Sequence, residues 1–118
     1  MKLPNAERAV IDIKKLRDYS LNPNHPEGKH KARVFLEKLD FTVDDAERLR
    51  ELIMEAILRV DATEQQPSPH GRRFYVDFHV TRSETYGVTS APIRTAWIIR
   101  NDEDFPRLTT CFIPRRRL

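Results

Sequence analysis

The apolar residues change their spacing once along the chain, and that switch constrains the fold more than any other feature. From Ala46 onward, Leu49, Leu52, Ile53, Ala56, Ile57 and Val60 recur every three or four positions, which lines one side of a helix. From Arg73 onward the spacing becomes two. Phe74, Val76, Phe78 and Val80 alternate with Arg73, Tyr75, Asp77, His79 and Thr81, as in a strand with one greasy face and one wet face. Between the two regimes, Gln65-Gln66-Pro67-Ser68-Pro69-His70-Gly71 reads as a polar hinge. Helices that all precede the strands can bury their apolar stripes against one side of a sheet. The expectation is therefore an α+β fold, with two or three N-terminal helices packed on one face of a three- or four-stranded, mostly antiparallel sheet.

The remaining segments fit that plan. Ala9-Val10-Ile11 is extended, and Asp12 caps a brief helix whose inner face is Ile13 and Leu16, with Tyr19 beside them. Two prolines, two asparagines and a glycine between Leu21 and Gly28 require an ordered turn. A helix then resumes from Lys29, with Ala32, Phe35, Leu36 and Leu39 on its inner side. Thr42 followed by Asp45 has the form of a capping box that opens the longest helix. In the second half, residues 82–90 read as a turn-rich link with a short strand around Tyr86 to Thr89. Strands follow at Pro92 to Arg100 and at Leu108 to Ile113. The chain of 118 residues is parsed as one domain: a helical half (1–64), a hinge (65–71), a sheet half (72–114) and a basic tail (115–118).

Charge is divided unevenly. Residues 1–66 hold 12 Lys and Arg against 13 Asp and Glu, whereas residues 67–118 hold 9 against 5, and all nine of those cations are arginines. Guanidinium fits phosphate or carboxylate with two parallel hydrogen bonds, so the positive half suits an acidic partner, and it equally suits a solvated sheet surface. Cys111 is the single cysteine, which precludes an internal disulfide. No stretch approaches the length of a membrane span, and the opening residues Met1 to Arg8 carry no apolar run, so the expected location is the cytoplasm. His25, His30, His70 and His79 have no metal-binding spacing, and Gly28, Gly71 and Gly87 are too far apart to form a phosphate-binding loop. No metal or other cofactor is expected.

The side chains that remain suit phosphodiester cleavage in RNA, where protons must move and the charge on the phosphorane must be stabilised. His25 and Lys31 lie on the loop and at the start of the next helix. Arg73, Tyr75, Asp77 and His79 share one strand face, and Arg94 and Arg107 can join them from neighbouring strands. Each also has a structural role open to it. His25 can serve the turn's own hydrogen bonds, Asp77 can pair with Arg73 or Arg94, and Trp97 can be core.

The run Asn22-Pro23-Asn24-His25-Pro26-Glu27-Gly28-Lys29-His30-Lys31-Ala32-Arg33-Val34-Phe35 resembles the N-P-x-H-P-x-G-x-x-K-A-x-x-F signature of an uncharacterised bacterial family, a domain of unknown function. The resemblance extends through Leu3 to Glu7, Gly71 to Asp77, Arg94 to Arg100 and Asp104 to Thr110. Members of that family stand alone beside small partner genes or form the C-terminal toxin module of larger polymorphic-toxin proteins. The order of helices and sheet is similar to that of barnase, EndoU, colicin-type tRNases and RelE toxins. The resemblance implies a metal-independent, RNA-directed endonuclease of toxin–antitoxin or polymorphic-toxin type. It would use His25, Lys31, Asp77 and Arg94 for catalysis and Arg73, Arg107 and Thr110 for the substrate, with RNA and a small acidic antitoxin or immunity protein as partners. Thr110 alternates with Leu108 and Phe112, which by spacing alone puts it on the buried face. The alternative is a non-catalytic module whose arginine surface docks an acidic protein.

Overall fold

A computed structural model describes residues 1–84 and 87–114; Tyr86 and the basic tail 115–118 lie outside the described residues. Asp12 begins the first helix, α1 (Ile13–Lys15), by accepting a hydrogen bond from the backbone N–H of Lys14. α1 runs on into a π-helical turn, Leu16–Ser20, closed by Leu21 N–H donating to the Leu16 carbonyl at 2.8 Å. The second helix, α2 (Lys29–Leu39), ends at Asp40, whose left-handed backbone (φ 56°) stops it. The Thr42–Asp45 capping box forms in both directions and opens a 3-10 turn (Val43–Asp45) that leads into α3 (Ala46–Arg59).

The sheet is a meander, β1 (Ala62–Ser68), β2 (Gly71–Glu84), β3 (Gly87–Arg100) and β4 (Arg107–Phe112), in that spatial order with every pair antiparallel. Val10 pairs in parallel with Arg107 along the outer edge of β4, donating to the Pro106 carbonyl and accepting from Leu108.

Both apolar periods meet in one core. Phe74, Val76, Ile93, Trp97 and Leu108 on the inner sheet face pack with Leu16, Phe35, Leu39, Leu49, Ile53 and Ile57 from the helices, all essentially removed from water. Trp97 belongs to this core, and its indole N–H donates to the Thr95 hydroxyl, which donates in turn to the Val76 carbonyl, both at 2.8 Å. A buried polar chain of this kind ties β2 to β3 and leaves no donor unpaired.

Four expectations need correction. The segment read as a hinge is largely β1, an edge strand that begins three residues inside the half expected to be helical. Its sequence Ala62-Thr-Glu-Gln-Gln-Pro-Ser68 buries only its first residue, so no apolar alternation marks it. Of the link expected over residues 82–90, the described residues 82–84 and 87–90 belong to β2 and β3, which pair from Gly71↔Arg100 to Glu84↔Gly87. Leu36, placed on the inner side of α2, is 49% exposed, because Ala32, Phe35 and Leu39 already form the buried stripe. Thr110 leaves the buried face because the β3–β4 register slips between Ala96 and Trp97. Leu108 lies opposite Trp97 and Thr110 opposite Ala96, so Leu108 and Cys111 point inward and Thr110 outward.

Candidate functional site

The Leu21–Gly28 loop folds back on the π-helical turn, and Gly28 is what lets it. A Cβ at Gly28 would run into the Tyr19 carbonyl oxygen, so only glycine permits this approach. His25 fixes the loop from within, its Nδ1 accepting from the backbone N–H groups of Glu27 (3.0 Å) and Gly28 (2.9 Å). An Nδ1 that accepts two hydrogen bonds carries no proton, so the ring proton resides on Nε2. The imidazole stands edge-on to the Tyr19 ring, with centroids 4.8 Å apart. His25 can therefore donate from Nε2 to a bound anion, while its other nitrogen is held by the turn.

Lys31, one turn into α2, points at the same tyrosine. Its ammonium donates to Tyr19 Oη at 2.8 Å and lies 4.5 Å from the ring centre. With the oxygen accepting from Lys31, the phenol's own proton is free to point elsewhere. The ammonium also lies 5.8 Å from the Phe112 ring at the end of β4.

These groups line a cleft of about 460 Å³ at the β4 edge, together with Lys14, Lys15, Asp18, Thr109 and Thr110. The Thr110 hydroxyl is shielded from water there and makes no hydrogen bond within the described residues. Three residues named from the sequence, His25, Lys31 and Thr110, are thus brought together. Tyr19, Lys14, Lys15 and Asp18 complete the cleft and were not named as site residues. Lys14, Lys15, Asp18 and Tyr19 form a polar stripe at helical spacing, but the π-helical turn re-aims its end, and no local sequence signal marks such a turn.

The other candidates stand on the outward sheet face, in rows set by register. Asp77, Arg94 and Phe112 are lateral neighbours, so the Arg94 row adjoins the cleft through Phe112. Arg94 forks onto Asp77 with hydrogen bonds of 2.9 and 2.8 Å, and its guanidinium lies over the Tyr75 ring at 4.4 Å. Arg73, Ile98 and Arg107 form a second row, four residues further along β3 and so about 13 Å away. There Arg73 donates to the Gln66 carbonyl, and Arg107 forks onto Glu103 at 2.8 Å twice. Arg73 and Arg107 do not reach the cleft. Cys111, fully buried behind it, has its thiol pushed far up by desolvation and is inert.

Among the described residues no helix is long and apolar enough to cross a membrane. Comparison with protein families gives a match over residues 2–115 to a model described as a domain of unknown function (DUF6883). No curated protein and no solved structure matches the chain.

Proposed function

Because the chain belongs to the DUF6883 family of domains of unknown function, its chemistry has to be argued from its own side chains, and we propose that it is a toxin-like, RNA-directed endonuclease that works without a metal. The observation that carries this reading is the Lys31–Tyr19 hydrogen bond inside a cleft that also holds Lys14, Lys15 and the unpartnered Thr110 hydroxyl. A phosphodiester in that cleft meets three ammonium groups, the Nε2–H of His25 and the Thr110 hydroxyl, which has no partner among the described residues.

In the proposed step the 2′-hydroxyl oxygen attacks the adjacent phosphorus and passes its proton to the Asp18 carboxylate. The P–O5′ bond breaks, and the leaving oxygen takes the phenolic proton of Tyr19, which is replenished from the Lys31 ammonium. The products are a 2′,3′-cyclic phosphate and a free 5′-hydroxyl, with Asp18 protonated and Lys31 neutral until solvent restores both. Single-stranded RNA leaving the cleft would cross Phe112 and Tyr75 on the outward sheet face, where bases can stack. The activity belongs in the cytoplasm, where its substrate is.

The test is incubation of the purified protein with end-labelled single-stranded RNA and with tRNA in excess EDTA. Fragments ending in a cyclic phosphate are expected. Lys31→Ala and Tyr19→Phe should each slow their appearance by about 10²-fold or more with unfolding temperatures preserved. RNA left intact at stoichiometric protein sinks the proposal.

One observation favours a second reading, a non-catalytic module for an acidic partner protein. Arg94 and Arg107 are already neutralised by Asp77 and Glu103, so neither is poised for a phosphate. Under that reading Lys31→Ala leaves no RNA activity to lose.

A further inference from the structure

β2 is paired with β3 along its whole length but with β1 over only half of it, since β1 pairing begins at Ala62↔Val76. Beyond Val76 the other edge of β2 has no strand beside it among the described residues. Which backbone groups face that edge follows from hydrogen bonds already made. Val76 and Arg82 direct their carbonyls toward β3, where the Thr95 and Thr89 hydroxyls donate to them, whereas Gly71 directs its carbonyl toward β1 and receives Ser68. Even-numbered positions therefore bond to β3 and odd-numbered ones point to the opposite edge, because these groups alternate along a strand. Pro92, which has no N–H, lies opposite His79 in keeping with that phase. His79 and Thr81 thus offer N–H and C=O groups outward, and no other backbone group among the described residues bonds to either.

This edge is one side of a groove of about 360 Å³ whose other wall is α3. Its apolar lining comes from Phe41, Leu52, Phe78 and Val80. Its charged lining holds three arginines against two carboxylates: Arg59 and Arg48 on α3, the latter 3.8 Å from Glu51, and Arg82 on β2, which donates to the Leu39 and Asp40 carbonyls, against Glu55 and an Asp45 carboxylate engaged by the Thr42 cap. The two walls match in length. The eleven steps of α3 from Arg48 to Arg59 rise about 16 Å, and the stretch of β2 from Asp77 to Arg82 beyond the β1 pairing extends about 16 Å.

We propose that this groove docks an extended acidic segment of a partner protein, which adds to β2 as a strand in line with β1. Backbone hydrogen bonds to His79 and Thr81 supply the attachment. Apolar side chains meet Leu52, Phe78 and Val80, and acidic side chains at either end meet Arg48 and Arg59. The inference is independent of the nuclease reading, because the groove and the cleft share no residue. Exposed sheet edges invite pairing, so a cover for this one is chemically reasonable.

The test uses a capped heptapeptide, Glu-Thr-Val-Thr-Val-Thr-Glu, with its lysine analogue as control, and amide exchange by NMR. In the free protein the His79 and Thr81 amides should exchange fast and those of Phe78 and Val80 slowly. The acidic peptide should bind with a dissociation constant below about 1 mM and slow His79 and Thr81 exchange tenfold or more. Thr81→Pro should abolish that protection while the Trp97 fluorescence of the folded core is retained. Arg59→Glu, on the helix wall, should weaken binding at least tenfold and serves if the proline variant fails to fold. Slow exchange at His79 and Thr81 in the free protein, no binding, or equal binding of the lysine peptide overturns the proposal. So does a dimer that Thr81→Pro disperses, which would give the edge to a second copy of this chain.

Discussion

Thr110 is a residue whose surroundings could not be read from its neighbours in sequence. Its hydroxyl is buried without a partner among the described residues, which costs about 1–3 kcal/mol relative to a bonded or apolar group. Thr110→Val keeps the shape and removes the unpaired oxygen, so it should raise stability by about 1 kcal/mol in denaturant unfolding. If the hydroxyl serves a bound phosphate, the same variant should lower RNA affinity, and a gain in both would remove Thr110 from the site. His25 is a different case. Its place in a tight turn was evident from the two prolines and Gly28 around it, and the turn explains the spacing of the whole Asn22–Gly28 run. That its Nδ1 is committed to the turn, leaving only Nε2 for a ligand, depends on how the loop closes on itself.

At the scale of elements, the segments with strong local signals formed where their patterns indicated. The Thr42–Asp45 box opens the turn before α3, and Thr42→Ala should cost about 1 kcal/mol, seen as a lower midpoint in urea with an unchanged slope. A loss of several kcal/mol, or none, would mean that the turn is held by something other than its cap. The alternation in β2 fixed its inner and outer faces from sequence. β1 was not legible, because an edge strand with one buried residue owes its extended form to the backbone bonds β2 offers rather than to its own side chains. β4 was legible as a strand but not in phase. The slip opposite Ala96–Trp97 turns Thr110 and Phe112 outward, and it is what gives the cleft two of its neighbours.

For the whole molecule, ion pairs tie the chain to itself at several ranges. Asp104 bonds Arg8 across 96 residues and Asp61 bonds Lys2 across 59, both exposed, while Glu64 bonds Arg72 between β1 and β2 and the part-buried Glu103 bonds Arg107 four residues on. Each carboxyl is held below its ordinary value, 3.8 for the aspartates and 4.5 for the glutamates, first by the hydrogen bond from its basic partner. Lowered folded values mean that the stabilisation is complete above the unfolded range and is lost as the pH falls through the folded values. The unfolding temperature should accordingly be level from about pH 7 to 5 and fall as the pH drops toward 3. Because three of the four pairs are exposed, the fall should be modest and should shrink in about 1 M salt, and Asp104→Asn should flatten it further. A transition that does not respond to acid would show that these pairs contribute nothing. By itself the sequence determined the fold class, the helix starts, the two faces of β2 and the apolar stripe of α3, because each is written in spacing and caps within a few residues. Only the tertiary structure decided that Tyr19, His25, Lys31 and Thr110 share a cleft, that Arg94 and Arg107 are already paired, and that β1 pairs with only half of β2. Those outcomes depend on register, on a π-helical turn and on where β1 starts, and such features arise from contacts between segments far apart along the chain.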